Sequence, residues 1–174
     1  MLPAVRAIVY EAAIGGFLIV GLPLLSLAIE RGAPVLPEGA QAAGLALALA
    51  GGGLWLWATV VLVARGDGTP LPLDPPRTLV VSGPYRWIRN PMHVGLIAFF
   101  TGEALLFRSV VFLAIVALLA LGAFLWSRHE ERELERRFGG PYVRYRDSVP
   151  AWFPRLRAPS GSSRGGWLIS LDSR

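Results

Sequence analysis

Two stretches of this 174-residue chain carry the side chains that chemistry needs. The first, Arg77 to Gly95, RTLVVSGPYRWIRNPMHVG, sets three arginines, a Ser-Gly-Pro turn, an Asn-Pro step and His93 between strongly hydrophobic regions. The second, Ser127 to Phe138, SRHEERELERRF, alternates charge sign at i, i+3 and i+4, the spacing that supports a helix in water, and holds His129, Glu130 and Glu131 in a row. Irregular backbone near a bilayer survives only where protein or water satisfies its hydrogen bonds, so a polar loop held at a membrane face is a natural place for a site. A site built from both stretches has loop backbone groups and Tyr85 on one wall and Glu130 and Glu131 on the other. The chain has no cysteine, which excludes a thiol nucleophile, disulfides and zinc-thiolate centres. With two histidines as the only other strong metal-binding side chains, no catalytic metal is expected.

The elements that must position these groups are hydrophobic. Hydrophobic residues make up 53% of the chain and charged residues 17%, and the mean hydropathy is +0.50, which identifies a membrane protein before any motif is considered. Residues 7–29 are apolar apart from Tyr10, Glu11 and Ser26, about the ~20 residues that a helix needs to cross a bilayer. The N-terminal charge pattern is that of a signal peptide, but the run is long and lacks a small-residue cleavage site, so it is read as a retained span that Pro23 bends. Residues 42–64 form a second span, in which Gly51, Gly52 and Gly53 offer another helix a close approach. A third apolar run from His93 to Phe107 and a fourth from Val110 to Trp126 are divided by Arg108 and Ser109, the pattern of a tight helical hairpin with Arg108 at its tip. Glu103, inside the first arm, is expected to pair with Arg108.

Gly139-Gly140-Pro141 stops the charged helix. Trp152 and Phe153 beyond it read as interfacial anchors, and residues 158–174, rich in Ser, Gly and Arg, as a disordered tail. The expected architecture is all-α: four crossings, the third and fourth forming the hairpin, and a cytoplasmic C-terminal helix. One domain spans 1–157, with its core at 77–150. All 17 basic residues are arginine. Arg65, Arg77, Arg86 and Arg89 share one side with Arg128, Arg132, Arg136 and Arg137, against Arg31 and Arg108 on the other, so the loop, the charged helix and both termini are expected in the cytoplasm, in a bacterial-type inner membrane. The arginines flank apolar segments and do not build a separate basic domain, so nucleic acid is not the expected partner.

Together, GPYRWIRNPMHVG and the downstream EERELERRFGGPYVRYRDSVP resemble the isoprenylcysteine carboxyl methyltransferases and the related phospholipid N-methyltransferases, integral membrane enzymes that use S-adenosylmethionine. The resemblance covers about Arg77 to Pro150, with both motifs in order across a hairpin. It implies cofactor contacts at Arg77, Thr78, Leu79 and Val80, at Tyr85, at Arg89, Asn90, Pro91 and His93, and at Glu130. Within that set the chain has Asn90 where the family has His and His93 where it has Tyr, and both replacements keep hydrogen-bonding capacity. The arginine that prenylcysteine enzymes place one turn before the glutamate is Trp126 here. Arg128 and Glu131 are the expected acceptor-side residues.

The implied reaction is methyl transfer to a lipophilic small molecule, a lipidated substrate or a membrane lipid. Such a displacement asks the enzyme chiefly to align donor and nucleophile and to exclude water. A carboxylate acceptor needs no general base; an amine does, and His129, Glu131 and His93 are the candidates. Each residue also has a plainer reading: Arg86 and Arg89 as membrane-orienting charges, Pro91 as the start of a helix, Glu130 and Glu131 as a solvated helix face. Two other functions share the layout, an NADPH-dependent membrane reductase acting on a sterol-like substrate and a non-catalytic adaptor that holds anionic lipid or a partner through its arginines.

Overall fold

The computed structural model describes residues 16–30, 36–66 and 77–154, and among them every regular element is helical. A π-helical turn, Phe17–Gly21, leads into α1, Leu22–Ile29; α2 runs Ala40–Gly66, α3 Pro91–Leu106, α4 Val110–Phe138 and α5 Gly140–Ser148. The expectations for residues 1–15 and 158–174 lie outside the described residues, as does Arg31. Two helices, α2 with 27 residues and α4 with 29, are long and apolar enough to cross a bilayer, whereas α3 and the described N-terminal helix are shorter apolar segments. Their apolar side chains point outward among the described residues: Leu49 on α2 is 69% exposed and Leu118 on α4 is 70% exposed.

Pro23 cannot donate a hydrogen bond to the preceding turn. The chain accommodates it by widening that turn into π form, and Ser26 Oγ donates back to Pro23 O at 2.7 Å.

Helices α2 and α3 form the most extensive pair. Their contact is made by small residues: a Cβ on Gly44 would meet Gly102 O at 2.7 Å, and one on Gly95 would meet Trp55 N at 2.6 Å. Gly51 stands against the backbone of Ala98 and Phe99, whereas Gly53, two residues on, faces open space. The triple glycine therefore serves the close approach through its first member. On the other side of α3, Phe100 and Ala104 pack with Phe112 and Val116 of α4, and Leu22 closes the cluster. Helices α2 and α4 both flank α3 but scarcely touch each other.

The hairpin between α3 and α4 is as tight as the sequence implies. Phe107 caps α3, Arg108 takes φ +57°, and the Ser109 hydroxyl accepts the Phe112 N–H at 2.9 Å to start α4. Arg108 does not pair with Glu103. Its Nε donates to Leu36 O at 2.5 Å, the Leu36 N–H donates back to Arg108 O at 3.2 Å, and the guanidinium lies 3.6 Å from Glu38. The left-handed backbone turns Arg108 off the end of the helix on which Glu103 sits, and Glu103 Oε2 is buried without a hydrogen-bond partner. Glu30 ties the same end together by accepting the Val111 N–H at 2.7 Å.

One boundary differs from the sequence reading. The charged stretch 127–138 is not a separate helix but the C-terminal part of α4, which continues without a break from the apolar run into the charged one. Gly139, at φ +58°, does end it, yet Gly140 and Pro141 immediately open α5. Valine at Gly51 or Gly102 should cost about 1–3 kcal/mol by overpacking the α2–α3 contact, while valine at Gly53 should be nearly neutral. Thermal melts of the three variants in detergent check this.

Candidate active site

The loop after α2 is folded back onto it. The N–H groups of Arg77 and Thr78 both donate to Gly66 O, at 2.8 and 3.0 Å, and Val80 and Tyr85 pack with Ala58 against Val61, Leu62 and Met92. Gly83, at φ +60° with Val61 against it, makes the bend. A 3-10 turn, Gly83–Arg86, then swings the Tyr85 ring inward until it is 8% exposed. The Tyr85 hydroxyl lies 3.4 Å from Ala58 O, and Tyr145 Oη donates to Tyr85 O at 2.7 Å.

Arg89 joins this loop to the far end of the chain. Its N–H donates to Pro150 O at 2.9 Å and its Nε to Val149 O at 3.0 Å, while Nη1 lies 2.5 Å from Glu131 Oε1 and 3.4 Å from the Tyr142 hydroxyl. Asn90 adds a second backbone link, to Ala151 O at 3.1 Å. Pro91 then starts α3 in its first turn, where its missing N–H costs nothing. The Asn90 side chain does not cap that helix, and its Nδ2 is buried without a partner.

These elements enclose one cavity of about 570 Å³, within the size range of small-molecule sites. The loop supplies Thr78, Leu79, Val80, Tyr85, Arg89 and Asn90. Helix α3 supplies Pro91, Met92, His93 and Leu96, and α2 supplies Trp55 and Leu62. Along α4, Trp126, Ser127, His129, Glu130, Glu131, Glu133, Leu134, Arg137 and Phe138 form a broad wall, and Tyr142 and Tyr145 of α5 close the end.

Burial, reinforced by the Glu130 carboxylate, pushes the Tyr85 hydroxyl well above its ordinary pKa. Burial does the same to Tyr145. Tyr142 is raised by burial and by Glu131, partly offset by Arg89. All three phenols therefore stay protonated at neutral pH and act as hydrogen-bonding groups, not bases.

Of the residues singled out from the sequence, Thr78, Leu79, Val80, Tyr85, Arg89, Asn90, Pro91, His93, His129, Glu130 and Glu131 all face this cavity. Two do not. Arg77 is tied through its backbone to the end of α2, and Arg128 lies over the Phe124 ring with its guanidinium carbon 5.0 Å from the centroid. The sequence reading missed Tyr142 and Tyr145, whose three-residue spacing after a helix-opening Gly-Pro is the signal for one inward face. It also gave Trp152 only an interfacial role. Its ring instead lies 6.0 Å from both His93 and Phe124, while Phe153 alone projects, 84% exposed.

The Arg89–Glu131 pair is the polar fastening of the site, with side chains only 12% and 24% exposed. Arg89→Met and Glu131→Gln should each lower stability, and the double variant should lose less than the sum, with a coupling of about 0.5–3 kcal/mol. Denaturation midpoints of the four proteins measure it.

A family model described as phospholipid methyltransferase matches residues 40–140. That range holds α2, the loop, the hairpin and α4. The chain is also similar to the cobalt-zinc-cadmium resistance protein CzcN of Cupriavidus metallidurans, at 35% identity over 100 residues, which cover 55% of this chain and 44% of that protein. The chain thus spans under half the length of that relative.

Proposed function

The chain belongs to the phospholipid methyltransferase family, and from that premise and the geometry of the cavity we propose that it transfers a methyl group from S-adenosylmethionine to a lipophilic acceptor at the cytoplasmic face of the membrane. The observation that carries this reading is that Tyr85, Asn90 and Glu130, from a loop and a helix far apart in sequence, line one cavity of cofactor size. Membership of a methyltransferase family does not favour the reductase or the adaptor.

The residues present fit the proposed donor. Asn90 Nδ2 is a buried donor with nothing to bind, a state that costs about 1–3 kcal/mol until an acceptor arrives. Glu130 offers a carboxylate to an ammonium group or to ribose hydroxyls, and the rings of Tyr85, Tyr142 and Tyr145 form an aromatic wall suited to a purine or a cation. The bound donor supplies an electrophilic methyl group on a positively charged sulfur. The chain's part is to hold that group in line with the acceptor and to keep water out, which proximity and orientation reward by up to ~7–11 kcal/mol in ideal cases.

In this reading four helices cross the bilayer, both termini are cytoplasmic, and the membrane is a bacterial-type inner membrane. The acceptor is an isoprenylcysteine-like carboxylate or a phospholipid amine. The Arg89–Glu131 pair has a positioning role: it locks the loop wall to the α4 wall, which takes Glu131 out of direct contact with the acceptor.

S-adenosylmethionine should bind saturably to the detergent-solubilised protein, and Glu130→Gln should weaken binding by about tenfold to a hundredfold, the scale of ~1.5–3 kcal/mol for a hydrogen bond to a charged group. Titration calorimetry decides it, since unchanged affinity in the variant removes Glu130 from the cofactor site. Transfer of labelled methyl groups into total membrane lipids tests the reaction itself.

A further inference from the structure

Arg128, expected from the sequence on the acceptor side, is not part of the cavity wall, and its setting on the outer face of α4 marks a second surface. At spacings of three and four, Leu118, Leu121, Leu125, Arg128 and Arg132 form one stripe along that face. The three leucines are 70%, 55% and 62% exposed, and both arginines are exposed as well. The stripe changes from apolar to cationic within one turn. At ~1.5 Å per residue from Val110, Arg128 lies about 27 Å and Arg132 about 33 Å along α4, on either side of the ~30 Å at which a hydrocarbon core gives way to headgroups.

The helix sorts its charges by face. Glu130, Glu131 and Glu133 line the cavity, where Glu131 holds Arg89, and Glu133 lies 3.7 Å from Arg136. Glu135 is taken by Arg146, at 2.6 Å. Among the described residues no carboxylate forms an ion pair with Arg128 or Arg132. Arg128 is nevertheless held in place: its guanidinium carbon lies 5.0 Å from the centroid of the Phe124 ring, and that ring is backed by Trp152 at 6.0 Å. A guanidinium seated on an aromatic face keeps its N–H edge open to an acceptor. Side chains four apart on a helix are neighbours, so Arg132 stands beside it and the two can clasp one phosphate.

We infer that this stripe is a binding site for an anionic phospholipid, its phosphate held by Arg128 and Arg132 and its acyl chain laid along Leu125, Leu121 and Leu118. The leucines decide the source of the phosphate: a soluble anion leaves them uncovered, whereas a lipid satisfies both halves of the stripe at once. The missing acid decides the charge. With every glutamate of this region on the cavity wall or paired with arginine, nothing on the stripe attracts the ammonium of a zwitterionic headgroup, and two uncompensated guanidiniums favour a headgroup of net negative charge. Two residues are about 200° of helical turn, so Glu130 projects from the opposite side of α4 to Arg128 and Arg132. The lipid held here is therefore a partner of the protein and not the methyl acceptor, and the inference does not depend on the methyl-transfer reading.

The test titrates the full chain in detergent with dioleoylphosphatidylglycerol, dioleoylphosphatidylcholine or glycerol phosphate and counts bound lipid by native mass spectrometry. The wild type should take up phosphatidylglycerol in preference to phosphatidylcholine, and the preference should shrink as salt is raised. Arg128→Gln should lower phosphatidylglycerol affinity about fivefold and the Arg128→Gln, Arg132→Gln double variant about thirtyfold, the effect of one and two charges at a membrane surface. Phe124→Leu keeps both charges but removes the seat of the guanidinium, and should cost about twofold to fivefold. The control pair Arg65→Gln and Arg144→Gln removes the same charge from exposed positions on α2 and α5 and should change the affinity by less than about twofold. All these side chains are exposed, so melting curves in detergent without added lipid should superimpose. A loss in the control pair as large as in the Arg128 and Arg132 pair, equal uptake of the two lipids by the wild type, or displacement of bound lipid by an equal concentration of glycerol phosphate overturns the site. So does capture of a polyglutamate peptide in preference to phosphatidylglycerol, which makes the stripe a dock for an acidic protein.

Discussion

A guanidinium presents five N–H donors in one rigid plane, and at Arg89 that fork gathers parts of the chain that no helix–helix packing would bring together. It reaches Glu131 on α4, Tyr142 on α5 and the carbonyl of Val149, while the arginine's own N–H holds Pro150. Taking a charge out of water is expensive unless its hydrogen bonds are replaced. Here Nε and Nη1 have protein partners and the opposite charge is close. The surrounding apolar contacts then decide only how tightly the pieces close. Tyr85 and Tyr145 share the same enclosure, since the Tyr145 hydroxyl needs the Tyr85 carbonyl, and that carbonyl is in place because Gly83 has already turned the loop.

The rest of the architecture serves to present the two ends of this clamp at one level. Glycine backbones set α3 against α2 and so fix where the loop between them stands. The Arg108–Ser109 turn returns the chain as α4, whose uninterrupted length carries Glu131 out of the apolar layer on the same rod that anchors it within. A 29-residue helix spans roughly 43 Å at ~1.5 Å per residue, more than the ~30 Å of a bilayer core. Its excess is the cavity wall.

Much of this was legible in the residues because the signals are local. An apolar run broken by Arg-Ser reads as a hairpin, Gly139 as a helix end, Asn-Pro as a helix start, and alternating charges as a helix in water. What was not legible depends on contacts between distant segments. Arg108 prefers Leu36 and Glu38 to Glu103 because the turn's backbone conformation, which composition does not reveal, points it away. The change from apolar to charged sequence at Ser127 reads as an element boundary, yet Glu, Arg and Leu are all good helix formers and polarity alone gives a helix no reason to stop. Tyr142, Tyr145 and Trp152 lie beyond a Gly-Gly-Pro that reads as punctuation, and it is hydrogen bonds from Arg89, Asn90 and Tyr145 to distant partners that bring that segment onto the site.

The position of the cavity along α4 has its own consequence. Its wall on α4 begins at Trp126 and Ser127, where the helix passes from hydrocarbon-like to charged sequence, and Trp55, Leu62 and Leu96 add apolar lining from α2 and α3. Among the described residues, helices α2 and α4 flank α3 with few contacts between them, so α3 and not a direct α2–α4 contact joins the two long helices. An amphiphile that keeps its tail in lipid and brings only its headgroup to this boundary loses little hydrophobic burial on binding. A fully water-soluble acceptor would gain nothing from that apolar lining. The same arrangement that makes the site hard to read from either motif alone thus supports the proposal that the acceptor is drawn from the membrane.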